Sequence, residues 1–179
     1  MESFAASLDE WRDFYIAISA ASATLMGLLF VSVSLKSEVY AGPQNPDLRA
    51  TAVNTFASFL FLMLDALYVL IPHQSSDTLG WTLVITTFFQ IRVMADEIRN
   101  VLRSVSLRGF TMELFWRLVL PFISAVIVLA VGIALIFGRE GALDWFVSAA
   151  IMMMVTATRN AWYLLLETSR RAGPDDATS

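Results

Sequence analysis

The chain has no cysteine and a single histidine among its 179 residues. The first absence removes disulfides, thiolate nucleophiles and Cys-ligated metals. The second removes the commonest general base and metal sites of the HExxH kind. Charge is scarce as well: Asp, Glu, Lys and Arg make up 16% of the sequence, where soluble domains carry about a quarter. The net charge of -4 opposes a general affinity for nucleic acid, whose binding proteins present a basic face, so no DNA or RNA partner is expected. There is no P-loop, no GxGxxG turn and no GxSxG elbow. We therefore expect no enzyme activity, no metal and no cofactor, and His73 reads as a solvated side chain in a short turn.

What fills the chain is apolar, 57% of all residues. These residues gather in five stretches, 14–35, 51–71, 80–95, 118–138 and 145–166, each long enough or nearly so to cross a bilayer core of about 30 Å as a helix. Helices are required there because lipid cannot satisfy free backbone N–H and C=O groups. The expected fold is an all-α integral membrane bundle of about five transmembrane helices. Residues 1–171 form one transmembrane helical domain and 172–179 a flexible cytoplasmic tail. The first stretch reads as a retained span rather than a signal peptide, since Glu2, Asp9, Glu10 and Asp13 stand against Arg12 alone.

The basic residues orient these spans. With the N-terminus outside, only Arg12 and Arg139 fall on the outer side. Lys36, Arg49, Arg92, Arg99, Arg103, Arg108, Arg117, Arg159, Arg170 and Arg171 fall inside, ten of the twelve Lys and Arg residues. This is the asymmetry of the positive-inside rule, and it places the C-terminus in the cytoplasm. Trp11, Tyr15, Trp81 and Trp145 mark the outer interface, with Trp116 and Trp162 near the inner one. Ser7 and Glu10 have capping-box spacing ahead of the first helix. Gly42, Pro43 and Pro46 break the first inner loop, Pro72 ends the second span, and 73–78 form an outer turn. Pro121 suits the first turn of the fourth helix. The third helix is expected to run past the membrane through 96–104, with Gly109 as its break.

Several positions stand out against this background. Ser19, Ala23 and Gly27 lie four apart and form a small-residue packing face, for neighbouring helices of the same chain or for a second copy. Val128 and Gly132 are candidates for the facing surface. The second helix carries Thr51, Asn54, Ser58 and Asp65 within an arc of roughly 100°. Two readings fit Asp65: a marker of an ion or proton path, or an acid paired or hydrogen-bonded inside the bundle. Thr82, Thr86 and Gln90 share a face of the third helix, while Arg92 either joins a polar interior or snorkels to the inner interface. In the fifth helix Ser148, Met152, Thr156, Arg159, Tyr163 and Glu167 fall in another arc of roughly 100°, with Asn160 beside it. Arg159 sits about two turns inside the inner end, where a lipid-exposed cation is expensive.

If these stripes face one another they make a polar interior with a cationic inner layer, suited to a small anion. Arg99, Arg103, Arg108 and Arg117, in the connection 96–117, read as a topology anchor or as a site for anionic lipid or a partner protein.

The run Trp11-Arg12-Asp13-Phe14-Tyr15, then Ala20-Ala21 and Gly27-Leu28-Leu29-Phe30-Val31-Ser32-Val33-Ser34-Leu35, resembles a group of small uncharacterised bacterial integral membrane proteins. Some of those carry automatic names such as modulator of a membrane AAA protease. The resemblance covers mainly the first span and implies a multi-pass protein of the bacterial cytoplasmic (inner) membrane.

The functional expectation is a homo-oligomer with a polar intramembrane pathway for a small ion. The alternatives are a non-conducting accessory or regulatory subunit that binds a membrane or cytoplasmic protein partner, and a protein that binds anionic lipid. In each case the lipid bilayer is the surrounding partner.

Overall fold

A computed structural model describes residues 2–41, 46–108 and 119–171 of the chain. Among the described residues the fold is all-helical, without strands. In chain order it runs α1 (Glu2–Glu10), α2 (Arg12–Leu35), α3 (Ser37–Ala41), α4 (Pro46–Val69), α5 (Ser76–Arg108), α6 (Leu120–Ile136), a 3-10 turn (Glu140–Ala142) and α7 (Leu143–Arg171). Arg12–Leu35, Leu48–Val69 and Ser76–Ala95 are long and apolar enough to cross a membrane. Leu120–Ile136 is as apolar but shorter, at 17 residues. Each of the five apolar stretches of the sequence lies on one of these helices.

Packing follows from the small and apolar residues on facing sides. α5 packs against α6, α2 against α4, and α7 against both α6 and α4, with α4 also touching α5. α4 therefore sits among α2, α5 and α7. Its Thr51, Asn54, Thr55, Ser58, Phe59, Leu62, Asp65, Ala66 and Val69 are all buried. In lipid such contacts draw on close van der Waals fit rather than on a hydrophobic drive. The α5–α6 crossing shows why. A methyl group added at Gly80 would come within 2.6 Å of the Gly132 carbonyl oxygen and 2.9 Å of the Ile136 nitrogen, so the two backbones touch there.

Two buried clusters close the ends of the bundle. At the Trp11 end Phe4 of α1, Tyr15, Val69, Leu79, Leu143 and Phe146 pack together. Tyr15 and Phe146 hold their ring centroids 5.7 Å apart, and the Trp11 indole N–H donates to Asp144 Oδ1 at 3.2 Å. At the Lys36 end Leu29, Tyr40, Leu48, Phe59 and Leu164 form the second cluster, and Lys36 Nζ donates to Ser169 Oγ at 3.1 Å. Gly138, at φ 72°, closes α6 in a Schellman arrangement, with the Gly138 N–H on the Leu135 carbonyl and the Arg139 N–H on the Ala134 carbonyl, both at 2.9 Å.

Four local expectations need correction or refinement. Ser7 and Glu10 do not cap the first long helix. They belong to α1, whose Phe4 is buried at the bundle end, and α2 begins after Trp11 with no side-chain cap. The loop after α2 contains the short helix α3. The turn after α4 spans 70–75 rather than 73–78, because α4 ends at Val69, before Pro72, and α5 already starts at Ser76. The third long helix continues beyond 104 to Arg108. Gly42, Pro43, Gly109, Trp116, Arg117 and the tail 172–179 lie outside the described residues.

Candidate functional site

The polar stripe of α4 points into the bundle. Thr51, Asn54, Ser58 and Asp65 are all buried, Asp65 to 2% exposure. α5 adds Thr86, Thr87 and Gln90, while α7 adds Thr156 and Asn160, all buried. Gln90 Nε2 lies 3.4 Å from Met153 Sδ, which links α5 to α7 across the interior. Ser124 of α6 donates to the Ala149 carbonyl of α7 at 2.9 Å.

Helical order sets the heights of these groups. Leu62 clusters with Ala150 and Met153, and Ala52 and Phe59 cluster with Ala157 and Leu164. α4 and α7 therefore run antiparallel, which puts Ser58 near the height of Thr156 and Asn54 near that of Asn160. The side-chain polar groups form a column along the bundle rather than one pocket. Asp65 lies toward the Trp11 end and Asn54 toward the Lys36 end, about 16 Å apart along α4 at 1.5 Å per residue.

Four hydroxyls of this column donate to carbonyls of their own helices. Thr55 donates to the Thr51 carbonyl at 2.7 Å, Ser58 to Asn54 at 2.9 Å, Thr86 to Leu83 at 3.1 Å and Thr156 to Met152 at 2.8 Å. This is the usual way a hydroxyl is satisfied inside a helix, and it leaves oxygen lone pairs facing the interior. Asp65 Oδ1, Asn54 Oδ1 and Thr87 Oγ1 have no hydrogen-bond partner among the described residues. The Asp65 carboxyl has the Thr86 hydroxyl beside it. The interior thus holds unpartnered acceptor oxygens on Asp65 and Asn54 among the amide groups of Asn54, Gln90 and Asn160.

The cations are elsewhere. Arg92 and Arg159 lie on exposed surface, as do Arg99 and Trp162. A cationic inner layer facing the interior, expected from the stripes, is absent among the described residues. The buried face of α7 runs through Ala149, Ala150, Met153, Thr156, Ala157, Asn160 and Leu164. Its centre lies about a quarter turn from the polar arc that contains Arg159. Arg92 falls opposite the buried face of α5. Arg103 and Arg108 lie on the last turns of α5, their side chains outside the described residues.

The small-residue face of α2 also points away from the chain. Ala23 and Gly27 are exposed and Ser19 half-buried, while Tyr15, Ser22 and Leu29 form the side packed on the bundle. Space around Gly27 is open to 4 Å. Gly132 does pack closely, but its neighbour is Gly80 of α5 rather than α2. Gly80, Thr87 and Ser124 were missed in the sequence. Thr87 had a signal, one residue from Thr86 and three from Gln90 on a helix of 3.6-residue period.

The fold and this interior define a helical bundle with candidate membrane spans and a buried polar column. Comparison with family models, with curated proteins and with solved structures returned no match. Groups of three or more His, Asp or Glu placed to hold a metal are absent among the described residues.

Proposed function

We propose that the protein is a multi-pass protein of the bacterial cytoplasmic membrane that passes a small cation through its own bundle. It crosses the bilayer five times, with α2, α4, α5, α6 and α7 as the spans, the N-terminus outside and the C-terminus in the cytoplasm. The observation that carries the reading is Asp65, a carboxylate buried inside the bundle in a column of polar side chains, with Oδ1 unpartnered. A buried intramembrane carboxylate is costly and marks a path for ions or protons. The unpartnered Asp65 carboxyl oxygen favours positive charge over the anion suggested by the arginines. Because Asp65 lies inside one copy of the chain, the path runs through each protomer and needs no axis shared between copies.

Purified protein in liposomes, loaded in turn with cation and anion gradients, tests this. Cation-selective flux that falls at least tenfold in Asp65→Asn is expected. Anion-selective flux, or flux indifferent to Asp65→Asn, refutes it. Because the chain has no cysteine, single cysteines at Gln74 and Ser37 report the orientation directly. A membrane-impermeant maleimide should label Gln74→Cys, and not Ser37→Cys, from the outside of intact cells.

A second reading rests on the outward placement of Arg92 and Arg159 with exposed Trp162 near the Lys36 end. These residues are placed to meet lipid phosphates of the inner leaflet. Native mass spectrometry that retains no anionic lipid on the wild-type protein would remove it.

A further inference from the structure

Resting on the pathway reading, we infer that the ion passed is a proton and that Asp65 is its relay, taking the proton on Oδ1 from water on one side and releasing it to water on the other. The inference comes from how the oxygens are spaced. A dehydrated metal cation needs a shell of oxygen ligands at one height, about six for a hard divalent ion and a ring of carbonyls for potassium. Beside the Asp65 carboxyl lies the Thr86 hydroxyl, and Asp65 Oδ1 has no hydrogen-bond partner among the described residues. Asn54 Oδ1 lies about 16 Å farther along α4, and buried Leu62 and Phe59 intervene on the same helix.

Spaced single acceptors cannot replace a hydration shell, but a proton needs only one acceptor at a time. When Asp65 takes up a proton an O–H bond forms on Oδ1 and the O–H bond of the donor breaks, leaving neutral water from hydronium or hydroxide from water. When it releases the proton the carboxylate is restored and a water becomes hydronium. Nothing is oxidised or reduced.

The surroundings of Asp65 leave it the sole acidic relay at that height among the described residues. α2 packs on α4 and presents Tyr15, whose hydroxyl is buried without a partner and whose ring shares a cluster with Ala66, the residue after Asp65. Asp144 lies close to Tyr15 at the exposed end of α7, and Tyr15 is placed to carry protons between that surface and Asp65. α5 presents the neutral Thr86, Thr87 and Gln90, and its acid Asp77 is exposed at the Trp11 end. α7 carries Arg159 and Glu167 ten or more residues beyond the height of Asp65, and α3 brings Tyr40 to the opposite end of the bundle.

The test uses the full chain in liposomes containing a pH-sensitive dye, with a potassium diffusion potential as the driving force. Wild-type protein should acidify the lumen. Asp65→Asn should reduce the proton rate at least tenfold, Asp65→Glu should restore part of it, and Tyr15→Phe should reduce it severalfold. Should Asp65→Asn not fold, dicyclohexylcarbodiimide on the wild-type protein gives the same answer, blocking flux and modifying Asp65 as found by peptide mass. Sodium or potassium flux without proton flux, proton flux equal in wild type and Asp65→Asn, or carbodiimide block without modification of Asp65 overturns the proton assignment while leaving a pathway in place. Absence of any ion flux from a monodisperse preparation overturns the pathway reading and this inference together.

Discussion

Replacing Gly80 by alanine tests the tightest contact in the bundle. The new methyl would lie 2.6 Å from the Gly132 carbonyl oxygen, 2.8 Å from Ile136 Cγ1 and 2.9 Å from the Ile136 nitrogen. Two of these three are backbone atoms, so a side-chain rotation cannot relieve the overlap and α5 must move away from α6. Overpacking a close-packed contact costs about 1–3 kcal/mol. Alanine recovers up to about 1 kcal/mol of helix propensity, less at Gly80 because it lies in the first two turns of α5. The net loss should be about 1–2 kcal/mol. On the scale of soluble domains this size, that lowers the melting temperature by roughly 2–8 °C.

Gly132→Ala meets its nearest atoms at 3.0 Å, including the Val84 side chain, which can shift, so its loss should be smaller. Gly27→Ala is the control, with open space around it, and should be neutral or slightly stabilising. The assay is thermal unfolding in one mild detergent, followed by tryptophan fluorescence and by the loss of the monodisperse peak. A Gly80→Ala protein as stable as wild type, or an order of effects with Gly27→Ala the most damaging, would refute the α5–α6 crossing.

Three further substitutions probe the interior and its end. Asp65→Asn keeps the shape of the side chain and removes the charge, so stability in detergent should hold or rise by up to about 2 kcal/mol, because a buried carboxylate with an unmade hydrogen bond is expensive; a loss of more than that would mean Asp65 anchors the fold. Ser124→Ala removes the α6–α7 hydrogen bond to Ala149 and should cost about 0.6 kcal/mol, the average for interhelical bonds in a membrane bundle; an effect above about 2 kcal/mol would show that Ser124 does more than bridge the helices. Burial raises the Tyr40 phenol above its usual 10.0, opposed by the nearby Thr168 hydroxyl. Since the folded form binds the proton more tightly, this contribution is complete below pH 10 and is lost as pH rises through the raised value. Tyr40→Phe should therefore weaken the loss of stability above pH 10, and a steeper alkaline loss in the variant would contradict the burial of Tyr40.

The helices were legible because twenty-residue apolar runs have few other uses, and the α4 stripe because Asn54, Ser58 and Asp65 interrupt an otherwise apolar surface at helical spacing. The α7 stripe was misplaced by the same logic. Arg159 is polar without being inward, since a long cationic side chain reaches an interface from the outer side of a helix, and counting it centred the arc about a quarter turn from the buried face, with Thr156 near its edge and Asn160 outside it. Small residues mislead for a related reason. Ala23 and Gly27 share the pattern of a packing face yet are exposed, whereas Gly80 carries a backbone contact that depends on Gly132, more than fifty residues later. No local pattern reports such a pairing. α1 escaped notice because its burial rests chiefly on Phe4 and Leu8 meeting a cluster assembled from five other helices.

The separation of charges is itself an argument about mechanism. If Asp65 and Arg159 formed a pair, the carboxylate would be neutralised and the interior would have no preference for ions of one sign. The shared packing of Leu62 with Ala150 and Met153 places Asp65 level with the first two turns of α7, so Arg159 lies about 15 Å farther along at 1.5 Å per residue. At that separation and an effective dielectric constant of about 20, the attraction is only about 1 kcal/mol, too weak to serve as the partner of a buried carboxylate. Arg92 and Arg159 remain on the exposed surface toward the Lys36 end, and Asp65 is the one buried acid among the described residues. Moving an arginine inward should then do more harm than deleting one. Thr156→Arg, one turn from Arg159 on the buried face, places a cation in the polar column and is expected to abolish flux, whereas Arg159→Gln preserves at least half of it. Equal loss in both variants would show that Arg159 belongs to the path after all.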